Sequence, residues 1–159
     1  MIEGIHKVGF IYNDLKPHNI CIGHYSDEKE NEELHQLKLI DFGLVTRYLD
    51  DAGLHVPLKS EKFQGNLAYC SYRAIERKTT SRRDDIMLIL NLVYYLLTAR
   101  FYGADQKMEY GSADIENQFL EKRSQFDESI YKRDERVAGL KEFAIYAYSL
   151  SYEDAPDYN

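Results

Sequence analysis

The sequence predicts a single, mainly α-helical domain that also contains a few short β-strands. Residues 86–97 form a run that is apolar except at Asn91, and apolar residues recur at helical spacing between positions 137 and 150. Strand-length apolar segments occur at residues 19–23 and 36–40. A chain of 159 residues suits one domain and is long enough to bury a substantial core.

The first part of the chain predicts a helix end followed by short strands. Residues 3–8 are compatible with the end of a helix, and Gly9 is a stop signal. The apolar segments at residues 19–23 and 36–40 predict two strands. We interpret the acidic connection at residues 25–35 as a solvated loop rather than a binding segment, because runs of charge usually lie in water.

The middle of the chain predicts a long irregular segment and then a central helix. Residues 44–74 lose periodicity, and long irregular segments in compact domains are usually functional. Asp84 and Asp85 follow, where carboxylates suit the free amides of a first helical turn. We therefore predict a helix over about residues 84–99, buried at the centre because it is apolar on all faces.

The last third of the chain predicts two amphipathic stripes. The first consists of Ile115, Phe119, Phe126 and Ile130, and the second of Val137, Leu140, Phe143, Ala144, Ala147 and Leu150. Their helical spacing indicates core faces. A partner-binding face is the alternative, and it stays more open for the first stripe.

Composition and charge exclude several classes of protein. The two cysteines, Cys21 and Cys70, lie far apart without ligand spacing, which argues against a disulfide framework or a zinc site. The N-terminal residues do not resemble a signal peptide, and no apolar run reaches the roughly 20 residues of a membrane span. A net charge of -7 makes general nucleic-acid binding unexpected. An intracellular, cytoplasmic location is the expectation.

Two motifs carry recognisable chemistry. They are YNDLKPHN at residues 12–19 and LIDFG at residues 39–43. Their order and spacing resemble the catalytic loop and metal-binding motif of eukaryotic protein kinases, H-R-D-x-K-x-x-N followed by D-F-G. Either motif alone is moderately specific, whereas the two together make it very unlikely that the similarity arose by chance.

The resemblance implies a role for each matching residue. Asp14 would orient the acceptor hydroxyl and accept its proton, and Lys16 would stabilise the γ-phosphate. Asn19 and Asp41 would hold magnesium together with ATP, so MgATP is the implied cofactor of an active enzyme. The residues implied to act structurally are Phe42, Gly43 and Asp85, the last by accepting hydrogen bonds from the catalytic-loop backbone.

The motif also departs from the kinase pattern. Tyr12 stands in place of the usual His, and Asn13 replaces the Arg that links the catalytic loop to a phosphorylated activation segment. Control by that phosphate is therefore not expected. Lys16, two residues after Asp14, is typical of Ser/Thr protein kinases and favours a protein hydroxyl as acceptor. The alternative is an inherited kinase scaffold without catalysis.

Further segments resemble the casein kinase I family. HVP at residues 55–57, GNLAYCS at 65–71, SRRDD at 81–85 and the terminal EFAIYAYSLSYEDAPDYN match that family's HIP, GTARYAS, SRRDD and EFxxYLxYxRxLxFxxxPDY. Asn66 stands where the family has Thr, which puts its substrate preference in doubt. Leu88 and Leu90 replace the family's Ser and Gly in the central helix. The family's Arg for a primed substrate phosphate is replaced by Ala68.

The resemblance covers only the large, C-terminal lobe of a kinase, and we expect the N-terminal lobe to be absent. These 159 residues contain no G-x-G-x-x-G phosphate loop. Two functions remain open. One is an active Ser/Thr protein kinase of which this is a fragment; the other, favoured here for the chain alone, is a non-catalytic, pseudokinase-like binding or scaffold subunit of a larger protein assembly.

A basic segment lies between residues 59 and 83. It contains seven basic and two acidic side chains, a local charge of 7 - 2 = +5. Such separation can steer an acidic or phosphorylated partner. Local ion pairs are the equal alternative. The candidate anion or substrate contacts are Arg73, Arg77, Lys78, Arg82 and Arg83.

Overall fold

A computed structural model describes residues 1–22, 36–104 and 114–159 of the chain. The acidic connection predicted at residues 25–35 lies outside these described residues. The helices are α1 (Ile2–Lys7), α2 (Tyr72–Ile75), α3 (Arg82–Thr98), α4 (Ile115–Arg123), α5 (Glu128–Arg133) and α6 (Lys141–Ser149), with 3-10 turns at Pro17–Asn19 and Ala138–Leu140. The strands are β1 (Phe10–Ile11), β2 (Ile20–Ile22), β3 (Leu37–Leu39) and β4 (Thr46–Arg47). The mainly helical prediction is confirmed.

The strands form two small antiparallel pairs. β2 and β3 pair with each other, Ile20 opposite Leu39, as the two apolar segments predicted. β1 pairs with β4, with Ile11 opposite Thr46. The first pair places the catalytic motif next to the metal-binding motif, and the second attaches the start of the irregular segment to the same region.

The central helix, α3, begins at Arg82, two residues earlier than predicted. Ser81 is its N-cap residue: the Asp84 side chain accepts the Ser81 backbone amide at 2.8 Å, and the Asp84 amide donates to the Ser81 backbone oxygen at 2.9 Å. The expectation of burial on all faces is wrong for the last turn. Leu96 and Leu97 are 64% and 43% exposed because the helix there extends past the core clusters to the surface.

The core lies on both sides of α3. Met87 and Leu90 pack with Ala144 and Ala147 of α6 in one cluster, whereas Leu88 faces Tyr12 in a second. The second amphipathic stripe is therefore a core face, as predicted. Of the first stripe, Ile115 and Phe119 are buried with Cys70, while Phe126 and Ile130 pack at the edge of the α6 cluster. That stripe is also a core face.

Two further expectations concern cysteines and membranes. Cys21 is exposed and Cys70 is buried, and both are free thiols. In the described part of the chain, no helix has the length and apolar character needed to cross a bilayer.

Candidate active site

The catalytic-motif residues converge on one carboxylate. Asp14 lies between β1 and the 3-10 turn Pro17–Asn19, and the side chain is nearly fully buried. Its Oδ2 accepts hydrogen bonds from Lys16 Nζ at 2.6 Å and from Asn19 Nδ2 at 2.9 Å. Asn19 Nδ2 also donates to the backbone oxygen of Asp14 at 2.9 Å, which closes the loop on itself. The structure thus brings Asp14, Lys16 and Asn19 together.

The second oxygen of Asp14 has a different environment. Oδ1 is buried and has no hydrogen-bond partner among the described residues. A buried acceptor without a partner is unfavourable, typically by about 1–3 kcal/mol. With Oδ2 occupied by Lys16 and Asn19, Oδ1 is the oxygen of this carboxylate that is left without a hydrogen bond among the described residues.

The metal-binding motif is held against the catalytic loop through Tyr12. Tyr12 is fully buried and donates its hydroxyl to the Ile40 backbone oxygen, while the Ile40 amide donates to the Asn19 backbone oxygen at 3.0 Å. Burial raises the pKa of Tyr12, which keeps the hydroxyl protonated as a donor. Phe42 packs edge-on to the Tyr12 ring, with ring centroids 5.6 Å apart. Tyr12 thus performs a positioning task that sequence reasoning noted only as a departure.

Asp41 presents its carboxylate to solvent. Its backbone has φ of +60°, a left-handed conformation, and its Oδ1 accepts a hydrogen bond from the Gly43 amide at 3.1 Å. Asn19 and Asp41 provide an amide oxygen and a carboxylate, hard donors that suit magnesium. Among the described residues no group of three or more His, Cys, Asp or Glu side chains could hold a metal alone. This donor set fits an ion that is also held by phosphate oxygens.

Asn13 connects the catalytic loop to the irregular segment without any charge. Its Nδ2 donates to Leu44 O at 2.9 Å and to Thr46 Oγ1 at 2.8 Å, and its Oδ1 accepts from Thr80 Oγ1 at 2.7 Å. Its φ of +65° lies in the left-handed region, which Asn tolerates better than most residues. The three hydrogen bonds explain how a neutral side chain can fill the position where the kinase pattern has Arg.

Asp85 holds the catalytic loop from behind, as the resemblance implied. It is fully buried, and its two oxygens accept the Tyr12 amide at 2.7 Å and the Asn13 amide at 2.8 Å. His6 Nε2 lies 2.9 Å from Oδ2, and His6 Nδ1 lies 2.6 Å from the Tyr158 hydroxyl. Sequence reasoning missed His6 and Tyr158, which are 152 residues apart.

The predicted anion contacts are mostly engaged locally. Arg77 pairs with Glu116 at 2.6 Å, and Lys78 pairs with Glu76 at 2.7 Å. The Arg82 guanidinium donates to the Glu153 backbone oxygen at 2.6 Å. Arg73 and Arg83 lie over the rings of Tyr72 and Tyr152, respectively. One guanidinium nitrogen of each of these four arginines is nevertheless buried without a hydrogen-bond partner among the described residues, so an anion contact stays a prediction.

A basic cavity of about 270 Å³ lies beside the Asn13 network. Thr46 and Thr80 line it, and of the five predicted anion contacts only Lys78 does so. Its other cations are Arg47, Lys59 and Lys62. Lys59, Lys62 and Lys78 belong to the predicted basic segment, whereas their convergence with Arg47 of β4 carried no signal in the linear sequence because it depends on how the chain folds back.

Comparisons with known proteins agree with this geometry. The sequence model of the protein kinase domain family matches residues 1–149 of this chain. The chain belongs to the protein kinase family, in its casein kinase I branch. It is similar to casein kinase I homolog 1 of Saccharomyces cerevisiae, with 30% identity over 99% of this chain and 29% of the relative.

Two further relatives show the same extent of similarity. Casein kinase I homolog 3 of Schizosaccharomyces pombe is 28% identical over 99% of this chain and 35% of its own length. A probable casein kinase I homolog of Encephalitozoon cuniculi is 30% identical over 99% of this chain and 47% of its own length. The chain thus spans less than half the length of each of these relatives.

Proposed function

We propose that this chain provides the phosphoacceptor and metal-binding side of a Ser/Thr protein kinase site, at which the γ-phosphate of ATP is transferred to a protein hydroxyl. The supporting observation is the Asp14 carboxylate, of which one oxygen is fixed by Lys16 and Asn19 and the other is buried without a partner among the described residues.

The chain's own residues divide the work of the transfer. Asp14 Oδ1 orients the acceptor hydroxyl and takes its proton as the new O–P bond forms and the bond to the ADP leaving group breaks. Lys16, 2.6 Å from Oδ2, places a positive charge beside the transferring phosphoryl group. Asn19 and Asp41 would hold the magnesium, which supplies charge neutralisation on the phosphates when bound.

The test uses the protein at its native length, purified from its source. We expect transfer of labelled γ-phosphate from MgATP to a Ser-containing protein such as dephosphorylated casein, and a loss of at least about a hundredfold for Asp14→Asn, the usual contribution of a positioned general base. Asp50→Asn, on an exposed loop, is the control and should retain activity. Equal activity of Asp14→Asn and the control would refute the catalytic proposal.

A non-catalytic binding role is the second candidate, and exposed apolar residues favour it. Ile22 and Leu37 lie opposite each other on β2 and β3 and are 69% and 51% exposed, and Ile40 and Phe42 are 44% and 55% exposed beside Asp41. Clustered apolar exposure of this kind usually marks an interface. A protein partner in a larger assembly would cover this surface.

Sedimentation of the native material distinguishes the two candidates. The binding role predicts a heavier complex that dissociates in Ile22→Ser/Leu37→Ser, with no loss in Asp14→Asn. A stable monomer that binds no hydrophobic dye would contradict the binding role.

A further inference from the structure

One turn of the irregular segment is held from two sides. Residues 67–70, here called the anchored turn, follow Asn66, whose backbone oxygen accepts the amides of Tyr69 at 3.0 Å and Cys70 at 2.8 Å. The Asn66 side chain accepts the Ala68 amide at 2.9 Å. Three amides of the anchored turn, those of Ala68, Tyr69 and Cys70, are therefore satisfied locally by Asn66.

Arg123 donates hydrogen bonds to three carbonyls of the anchored turn. It is the last residue of α4, is fully buried, and donates from Nη1 to Leu67 O at 2.9 Å and Cys70 O at 3.0 Å. Its Nη2 donates to Ala68 O at 2.7 Å. The guanidinium lies 4.0 Å from the centre of the Phe119 ring. A buried cation is tolerated only when its donors are used in this way.

Asn91 is the second buried side chain that donates to the carbonyls of the anchored turn, including the one that Arg123 does not contact. This residue interrupts the apolar run of α3, is 1% exposed, and donates from Nδ2 to Tyr69 O at 2.7 Å and to Cys70 O at 3.1 Å. All four carbonyls of the anchored turn thus accept from two buried side chains. Outside a helix or strand, buried carbonyls need such partners, so the polar residue in the apolar run has a specific purpose.

The anchored turn is coupled to the catalytic loop by close packing. Gly65, just before it, has φ of +112°, and a Cβ there would lie 3.0 Å from the Asn13 backbone oxygen. Ala68 and Tyr69 pack in the cluster that contains Tyr12 and Leu15. The backbone on both sides of Asp14 therefore rests on the anchored turn.

We propose that Arg123 and Asn91 are positioning residues, which fix the anchored turn against the catalytic loop and so set the place of the acceptor beside Asp14. The consequence for catalysis rests on the function proposed above, whereas the anchoring does not. An experiment can therefore measure the two separately.

The anchoring is measured with Cys70 as a local probe. These 159 residues contain two cysteines, so Cys70 is the thiol that remains among them in a Cys21→Ser background. It is 1% exposed and burial raises its pKa to about 12, so it reacts with a thiol reagent only when the turn opens. We expect Arg123→Met to speed its reaction with 5,5′-dithiobis(2-nitrobenzoate) by about tenfold or more, the factor from losing one hydrogen bond to a charged group. Lys122→Met, the exposed neighbouring control, should leave the rate unchanged.

The urea dependence of the rate separates local opening from unfolding. Opening of one turn exposes little surface, so the faster reaction should depend only weakly on urea below the unfolding transition. Arg123→Lys, which keeps the charge but loses the forked donors, should react at an intermediate rate, and it serves if Arg123→Met does not fold. Two results for Arg123→Met would overturn the anchoring. One is a Cys70 reaction no faster than in Lys122→Met, and the other is a faster reaction whose rate has the urea dependence of global unfolding.

The positioning is measured by kinetics on the native-length protein. Arg123→Lys should lower kcat for transfer to casein by about tenfold while leaving KM for ATP unchanged, because the acceptor side alone is displaced. Faster Cys70 reaction with an unchanged kcat would overturn the positioning role. If the unsubstituted protein transfers no phosphate, the catalytic proposal fails, positioning fails with it, and the thiol measurement still decides the anchoring.

Discussion

Asp85→Ala should destabilise the fold much more than Asp14→Ala, although both remove a nearly buried carboxylate. Asp85 accepts two backbone amides, those of Tyr12 and Asn13, and both residues are buried. Each amide left without a partner costs about 1–3 kcal/mol, so the loss should be about 2–6 kcal/mol before any effect on His6 is added.

The expected effect of Asp14→Ala is far smaller. Asn19 keeps its hydrogen bond to the Asp14 backbone oxygen, and Lys16 is partly exposed and can be solvated. The substitution also removes the buried oxygen that has no partner among the described residues. We expect a change within about 1 kcal/mol of zero, which is the range for exchanging partly satisfied polar groups.

Thermal unfolding followed by circular dichroism measures the difference. For a domain of this size, about 1 kcal/mol shifts Tm by about 2–4 °C, so Asp85→Ala should melt well below the unsubstituted protein. Asp50→Ala is a matched control, since Asp50 Oδ1 accepts two amides, of Ala52 and Leu54, in an exposed loop where water replaces it. Equal shifts for Asp85→Ala and Asp14→Ala, or for Asp85→Ala and Asp50→Ala, would refute the argument from buried amides.

Three further outcomes follow from the same contacts. Tyr158→Phe should lower the unfolding free energy by about 1 kcal/mol in a denaturant titration, since it removes one hydrogen bond to His6 and leaves Asp85 in place. Asn13→Gly should cost less than Asn13→Ala, because both lose the side-chain network but only Gly accepts a φ of +65° without strain, and equal melts would contradict this. The isolated 159-residue polypeptide should show no MgATP binding by calorimetry, since it contains no Gly-rich phosphate loop; micromolar affinity that Asp41→Ala abolishes would show the opposite.

Periodicity and motif spacing predicted most of the local structure. The apolar run predicted α3 to within two residues of its start, and the two apolar segments predicted β2 and β3. Motif order placed Asp14, Lys16 and Asn19 together because all three lie within six residues, where a short loop leaves little freedom. These features depend on neighbours in the sequence, which is the information that a pattern contains.

Contacts between distant segments could not be predicted in this way. Arg123 in the last turn of α4 would be interpreted as an exposed cation near the negative end of the helix dipole, yet it is fully buried among carbonyls more than 50 residues earlier. Asn91 signalled only an interruption in an apolar run. In a hydrophobic pattern such residues are exceptions, and only their contacts in the folded structure show what they do.

The distant contacts share a physical property that explains their position around the site. Asp85, Asn13 and Arg123 each satisfy backbone or side-chain polar groups of irregular segments, which have no helix or strand partners of their own. A site that must present an unpaired carboxylate oxygen needs rigid surroundings, because a mobile loop would turn that oxygen toward any nearby donor. Under the function proposed above, substitutions of the buried polar residues that hold these segments should therefore lower kcat more than their distance from Asp14 suggests.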